Sequence, residues 1–143
     1  MNVVVDTNVL VAGLLSPFGP PGEIVRMIAT GTLHVCHDAR ILTEYDEVLA
    51  RPRFKFNPEH IQTLLDQIKA DGLSAAGHPL PTRLPDPADE PFLETALAGN
   101  AECLITGNIK HFPKTKRQGV TVLSPREFLD LYRKEQRTRG DLT

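Results

Sequence analysis

The residues best placed to do chemistry are carboxylates, and the first of them ends a buried run. Asn2-Val3-Val4-Val5 is rich in β-branched residues and fits a parallel strand buried on both faces; it stops abruptly at Asp6. A carboxylate there is costly unless something pairs with it. In open α/β sheets, the carboxyl ends of the strands are also where ligands bind. A second apolar run, Cys103-Leu104-Ile105-Thr106, likewise ends in small polar residues, Thr106-Gly107-Asn108. Two helical segments supply further acids. Glu44 lies three residues after Ile41 and four before Val48, so it borders an apolar stripe. Asp86, Asp89 and Glu90 crowd the start of another helix. If these groups converge on one edge of a sheet, like charges share a pocket and either a proton or a cation must enter. Oxygen ligands without cysteine or clustered histidine favour Mg²⁺ or Mn²⁺. Such ions bind phosphate oxygens and activate water for phosphodiester cleavage.

Positioning these acids requires alternating strands and helices. Thr7 to Leu15 is apolar and free of proline, so a strand-to-helix turn falls at Asp6-Thr7-Asn8. Ser16 to Gly22 reads as a loop and Glu23 to Ala29 as a short helix that Gly31 ends. Leu33 to Cys36 is the second strand, and Asp38 caps a helix running to about Arg51. Asn57-Pro58 starts the next helix and Gly72 stops it. Leu73 to Ala88, with Pro79, Pro81, Pro85 and Pro87, shows no periodicity and reads as a long loop. A helix from about Glu90 to Ala98 precedes the Cys103 strand, and Val120 to Leu123 is the last strand. Ser124-Pro125-Arg126-Glu127 is a capping box that opens a final helix to about Glu135. This alternation predicts a parallel sheet with helices on both faces. Residues 1–136 read as one domain and 137–143 as a frayed tail.

With 143 residues, 41% of them hydrophobic and 24% charged, the chain can bury one sizeable core. A formal net charge of -2 excludes a global positive field, so a polyanion partner needs local basic patches or bound cations. Cys36 and Cys103 read as small buried hydrophobes rather than a disulfide framework. No signal peptide precedes Asn2 and no apolar run can span a membrane, which makes the cytoplasm the expected compartment.

Together these residues resemble the PIN-domain family, specifically the VapC-like toxins of bacterial toxin–antitoxin modules. The resemblance covers nearly the whole chain. It rests on Val5-Asp6-Thr7-Asn8-Val9-Leu10, on Glu44, on Asp86-Pro87-Ala88-Asp89-Glu90-Pro91-Phe92-Leu93-Glu94, and on Leu104-Ile105-Thr106-Gly107-Asn108. It implies a three-layer α/β/α sandwich with a mostly parallel sheet, and a Mg²⁺- or Mn²⁺-dependent endoribonuclease. The family's first acidic ligand maps to Asp6, with Thr7 and Asn8 orienting that site, and its second maps to Glu44. The third maps to Asp89 by its spacing to Phe92 and Ala96, although counting back from Asn108 selects Glu90. The fourth acidic position is held by Asn108, in the turn that also contains Thr106, and this departure leaves a second metal in question. The resemblance also implies RNA as substrate, a cognate antitoxin as partner, and a homodimer.

Other readings compete. Asp6, Thr7 and Asn8 are also good turn and capping residues, and Glu44 taken alone is an ordinary solvated helix residue. Asp86, Asp89 and Glu90 all suit a helix amino terminus. His111 reads as structural. Arg51-Pro52-Arg53 with Lys55, and Lys114-Thr115-Lys116-Arg117, are either solvated surface or contacts to RNA phosphates. Asn108 favours a PIN domain that binds RNA or protein without cutting. A phosphatase of the haloacid dehalogenase type also begins with a strand ending in aspartate, but it needs an acid two residues on, where Asn8 stands.

Overall fold

The computed structural model describes residues 1–141. Five strands form one all-parallel sheet: β1 (Asn2–Val5), β2 (His34–His37), β3 (Leu73–Ser74), β4 (Cys103–Ile105) and β5 (Val122–Leu123), in the order β3-β2-β1-β4-β5. Six helices complete a three-layer α/β/α arrangement: α1 (Thr7–Leu15), α2 (Pro20–Ala29), α3 (Ala39–Leu49), α4 (Pro58–Asp71), α5 (Glu90–Ala98) and α6 (Pro125–Asp141). Val3, Val4 and Val5 of β1 are fully buried, as expected of the central strand of a parallel sheet. α5 lies against β1, β2 and β4, whereas α2 packs against α1, α4 and α6.

The chain runs from β1 outward to β2 and β3, then returns through α5 to β4 on the other side of β1. The strand order therefore reverses between β1 and β4. Val5 pairs with Ile105 across this boundary, so Asp6 and Thr106 leave the sheet side by side. Such a switch point opens a crevice beyond the carboxyl ends of the strands.

Several helix boundaries follow the local chemistry. Asp38 accepts the Ile41 N–H and Asn57 accepts the Glu59 N–H. Ser124 and Glu127 form the reciprocal capping box, each side chain bonding the other's backbone N–H. Other boundaries differ from expectation. α2 begins at Pro20, because prolines fit the first helical turn, where the N–H has no partner to lose. The segment read as a featureless loop begins with β3, a two-residue edge strand whose side chains are both exposed and so carry no buried pattern. The last helix continues past Glu135 to Asp141, through residues expected to fray. Leu142 and Thr143, the end of that expected tail, lie outside the described residues. Both cysteines are free and buried.

Candidate active site

Asp6 occupies the amino-terminal cap position of α1, but its side chain makes no capping hydrogen bond. Its N–H donates to Ile105 O at 2.9 Å, which fixes the backbone at the switch point. Its Oδ2 accepts from Thr106 Oγ1 at 2.9 Å and, more weakly, from Asn8 Nδ2 at 3.4 Å. The carboxylate is thus turned away from the helix and into the crevice. Burial pushes its pKa up to about 6. The Thr106 hydroxyl opposes that rise, and the negative charges of Asp89 and Glu44 add to it.

The surrounding turn holds this geometry. Thr106 Oγ1 accepts the Asn108 N–H at 2.9 Å, which aims its proton at Asp6. Asn8 Oδ1 accepts the Gly107 N–H at 3.0 Å and so ties α1 to the turn after β4. A Cβ at Gly107 would stand 3.3 Å from that same oxygen. Glu44 projects from α3, where Thr7 Oγ1 donates to its carboxylate. Thr7 and Asn8 therefore act on neighbouring side chains and the turn, not on their own helix end.

Asp89 ends the 3₁₀ turn Pro87–Asp89 and is buried. Its Oδ2 has no hydrogen bond of good geometry; His111 Nδ1 stands 3.1 Å away, off the hydrogen-bonding direction. Burial raises the Asp89 pKa, His111 opposes this, and Asp86 and Glu44 add to it. Asp86 itself accepts the Ala88 N–H, which is an ordinary cap.

Asp6, Thr7, Asn8, Glu44 and Asp89 line one open cleft of about 440 Å³, whose rim includes Arg51, Arg53 and Phe54. Glu90 is not brought there. One residue further around the helix than Asp89, it accepts the Leu84 N–H at 3.0 Å and pairs with Arg83 at 3.3 Å, holding down the preceding loop. Asn108 is exposed and contributes its backbone N–H to the Thr106 hydroxyl.

Two residues gained roles that sequence reasoning did not give them. Tyr45 read as part of the apolar stripe of α3, yet its hydroxyl donates to Val5 O and anchors the strand that presents Asp6. Burial, then the charges of Asp6 and Glu44, hold its pKa well above the usual value, so it remains a donor. The only signal was a hydroxyl-bearing ring next to Glu44. His111 read as structural, and its contact with Asp89 depends on a turn 22 residues away in sequence, which no local pattern reveals.

The donors suit a hard divalent cation in kind. They are carboxylate, amide and hydroxyl oxygens without a thiolate, and one buried carboxylate oxygen lacks a hydrogen bond. They do not form a ready-made cluster: among the described residues, no three His, Cys, Asp or Glu side chains group closely enough to hold a metal.

No curated protein sequence matches the chain. The family model of the PIN domain matches residues 2–110, which include every carboxylate of the cleft. PIN domains are generally nucleases and typically use divalent metal ions. A match over well more than half of the chain, on a five-stranded parallel sheet whose switch point gathers Asp6, Glu44 and Asp89, places this protein in the PIN-domain family.

Proposed function

We propose that this chain is a Mg²⁺- or Mn²⁺-dependent endoribonuclease and the toxin of a toxin–antitoxin module, acting in the cytoplasm. The observation that carries the reading is the convergence of Asp6, Glu44 and Asp89 on one cleft rimmed by Arg51 and Arg53. Asp6, Glu44 and Asp89, which line the cleft without closing into a metal-holding group, would have to draw together to hold the ion, which would supply positive charge for a phosphoryl oxygen and activation of the attacking water. Thr106 and Asn8 orient the Asp6 carboxylate, and Thr7 orients that of Glu44. Arg51 and Arg53, on the rim of the same cleft, would contact phosphates of the strand next to the scissile bond. Val11, Leu15 and Val48 give the cleft an apolar wall.

The test is cleavage of single-stranded RNA in Mg²⁺, in Mn²⁺ and in chelator, with wild type and Asp6→Asn. Wild type should cut only with the metal, and Asp6→Asn should fold and lose most of that activity. Chelator-resistant cleavage, or a well-folded Asp6→Asn of near wild-type activity, overturns the assignment. The toxin role adds expected partners: a second copy of this chain and an antitoxin that covers the acidic cleft with a basic side chain. Co-purification with the product of the adjacent gene and growth arrest on expression alone are the direct checks. An active, unpartnered protein from a host that grows normally counts against that role. One alternative has specific support: among the described residues no three acidic or histidine side chains close around a metal, and Asn108 stands where the family has an acid, which favours a domain that binds RNA or protein without cutting. The same cleavage assay decides between them.

A further inference from the structure

Arg51-Pro52-Arg53-Phe54-Lys55-Phe56 alternates cations with aromatic rings in the connection between α3 and α4. The carboxylate chemistry uses neither ring. Pro52–Phe54 forms one 3₁₀ turn, closed by Lys55 at φ 56, a left-handed conformation that costs a lysine energy. The two rings stack, with centroids 5.4 Å apart and planes 18° from parallel. The Arg53 guanidinium lies over the Phe54 ring, 4.9 Å from its centroid.

Core packing explains only one of these rings. Phe56 packs against the hydrophobic core, whereas Phe54 does not and remains half-exposed. Phe92, Phe112 and Phe128, by contrast, are fully buried. Among the described residues, Arg51, Arg53 and Lys55 are exposed and make no ion pair. Phe54, Arg51 and Arg53 share a cleft with Asp6, Glu44 and Asp89. Arg51 also borders a second cavity of about 360 Å³, walled in part by Lys55, Phe56 and Gln62. A strand leaving the carboxylates along this side meets the stacked rings next.

We propose that Phe54, backed by Phe56, is the stacking site for one base of a single-stranded RNA substrate, adjacent to the phosphate held at the carboxylates. The base takes the position over Phe54 that the Arg53 guanidinium holds, and Arg53 moves to the neighbouring phosphate with Arg51 and Lys55. The identity of the polymer rests on the endoribonuclease reading above. Once Arg53 has moved off it, the ring accepts any unpaired base, because every base offers a π-face, so the site selects single strands over duplex.

The experiment is fluorescence anisotropy with Ca²⁺ in place of Mg²⁺, so that a hard cation bridges the carboxylates and the phosphate, using a labelled single-stranded oligoribonucleotide and versions carrying one abasic nucleotide at successive positions. Wild type, Phe54→Leu and Phe54→Tyr are compared. Phe54→Leu should weaken binding by about 5- to 100-fold, and Phe54→Tyr should bind like wild type. One abasic position should reproduce the loss in wild type and cost nothing further in Phe54→Leu. Unchanged affinity of Phe54→Leu, an equal loss on every oligonucleotide, or no binding of the intact strand overturns the proposal. Should Phe54→Leu fail to fold, the abasic scan on wild type decides: equal affinity at every position overturns it. A cleavage assay in Mg²⁺ separates the two readings. Coupling without cleavage removes the nuclease and leaves the stacking site, whereas cleavage without coupling does the reverse.

Discussion

Asp6 combines deep burial with a carboxylate that receives only two side-chain hydrogen bonds, one of them long. Its pKa is raised from 3.8 to about 6, first by burial. The sign of the stability effect follows. Between these values the folded protein keeps a proton that the unfolded chain has released, so the cost of the charge grows as pH rises through this window and is complete above it. Asp6→Asn removes that cost and can still accept from Thr106. In chelator near neutral pH, the variant should therefore melt above wild type, by a stability gain on the order of 1–3 kcal/mol. The difference should shrink as pH falls toward about 4. Added Mn²⁺ should then raise the wild-type melting temperature more than that of the variant. Equal melting temperatures near neutral pH would mean that the charge is already satisfied. Asp6 was legible in the sequence because a buried strand cannot end in a carboxylate without consequence. The choice between Asp89 and Glu90 was not, because it depends on which way the 3₁₀ turn before α5 hands over to the helix, and on Arg83 and Leu84 claiming Glu90.

At the scale of elements, the position of α1 sets Asp6, Thr7 and Asn8 together, and α1 is itself seated on α2. Gly13 is the point of closest approach: an added Cβ would lie 2.5 Å from Pro21 O and 2.6 Å from Val25 Cγ2. Helix propensity alone predicts that Gly13→Ala stabilises the protein by about 1 kcal/mol. Overpacking against backbone costs about 1–3 kcal/mol and should win, because a carbonyl oxygen cannot rotate away. Gly13→Ala should therefore lower the midpoint of urea unfolding, and a higher midpoint would mean that α1 moves freely on α2. Elements with their own chemistry were readable: the valines of β1, the Asp38 and Asn57 caps, and the Ser124–Glu127 box. β3 was hidden because two exposed residues carry no pattern, and its pairing with β2 is supplied by the rest of the sheet. The start of α2 was hidden because Pro20-Pro21 signals a loop until its N1 role is considered.

Across the whole molecule, a net charge of -2 with an acidic centre means that any attraction for RNA is local. Arg51 and Arg53 line the cleft, and Lys55 lines the adjoining cavity that Arg51 also borders. The second basic stretch, Lys114 to Arg117, is partly committed, since Arg117 Nε donates to Phe112 O at 2.8 Å. Single-strand binding loses affinity with salt at a slope of about -0.7 per neutralised phosphate. Three contacts predict a slope of about -2 in a plot of log affinity against log salt concentration. Arg51→Gln and Arg53→Gln should each make it shallower by roughly 0.7, while Lys114→Gln leaves it unchanged. The measurement is titration of the labelled single strand in chelator at several salt concentrations. A slope steeper than about -4, or one that responds to Lys114→Gln, would require the strand to cross the turns after β4 as well. The path would then pass His111 and Asp89 as well as the stacked rings, and the rim beside α3 would be only one part of a longer track.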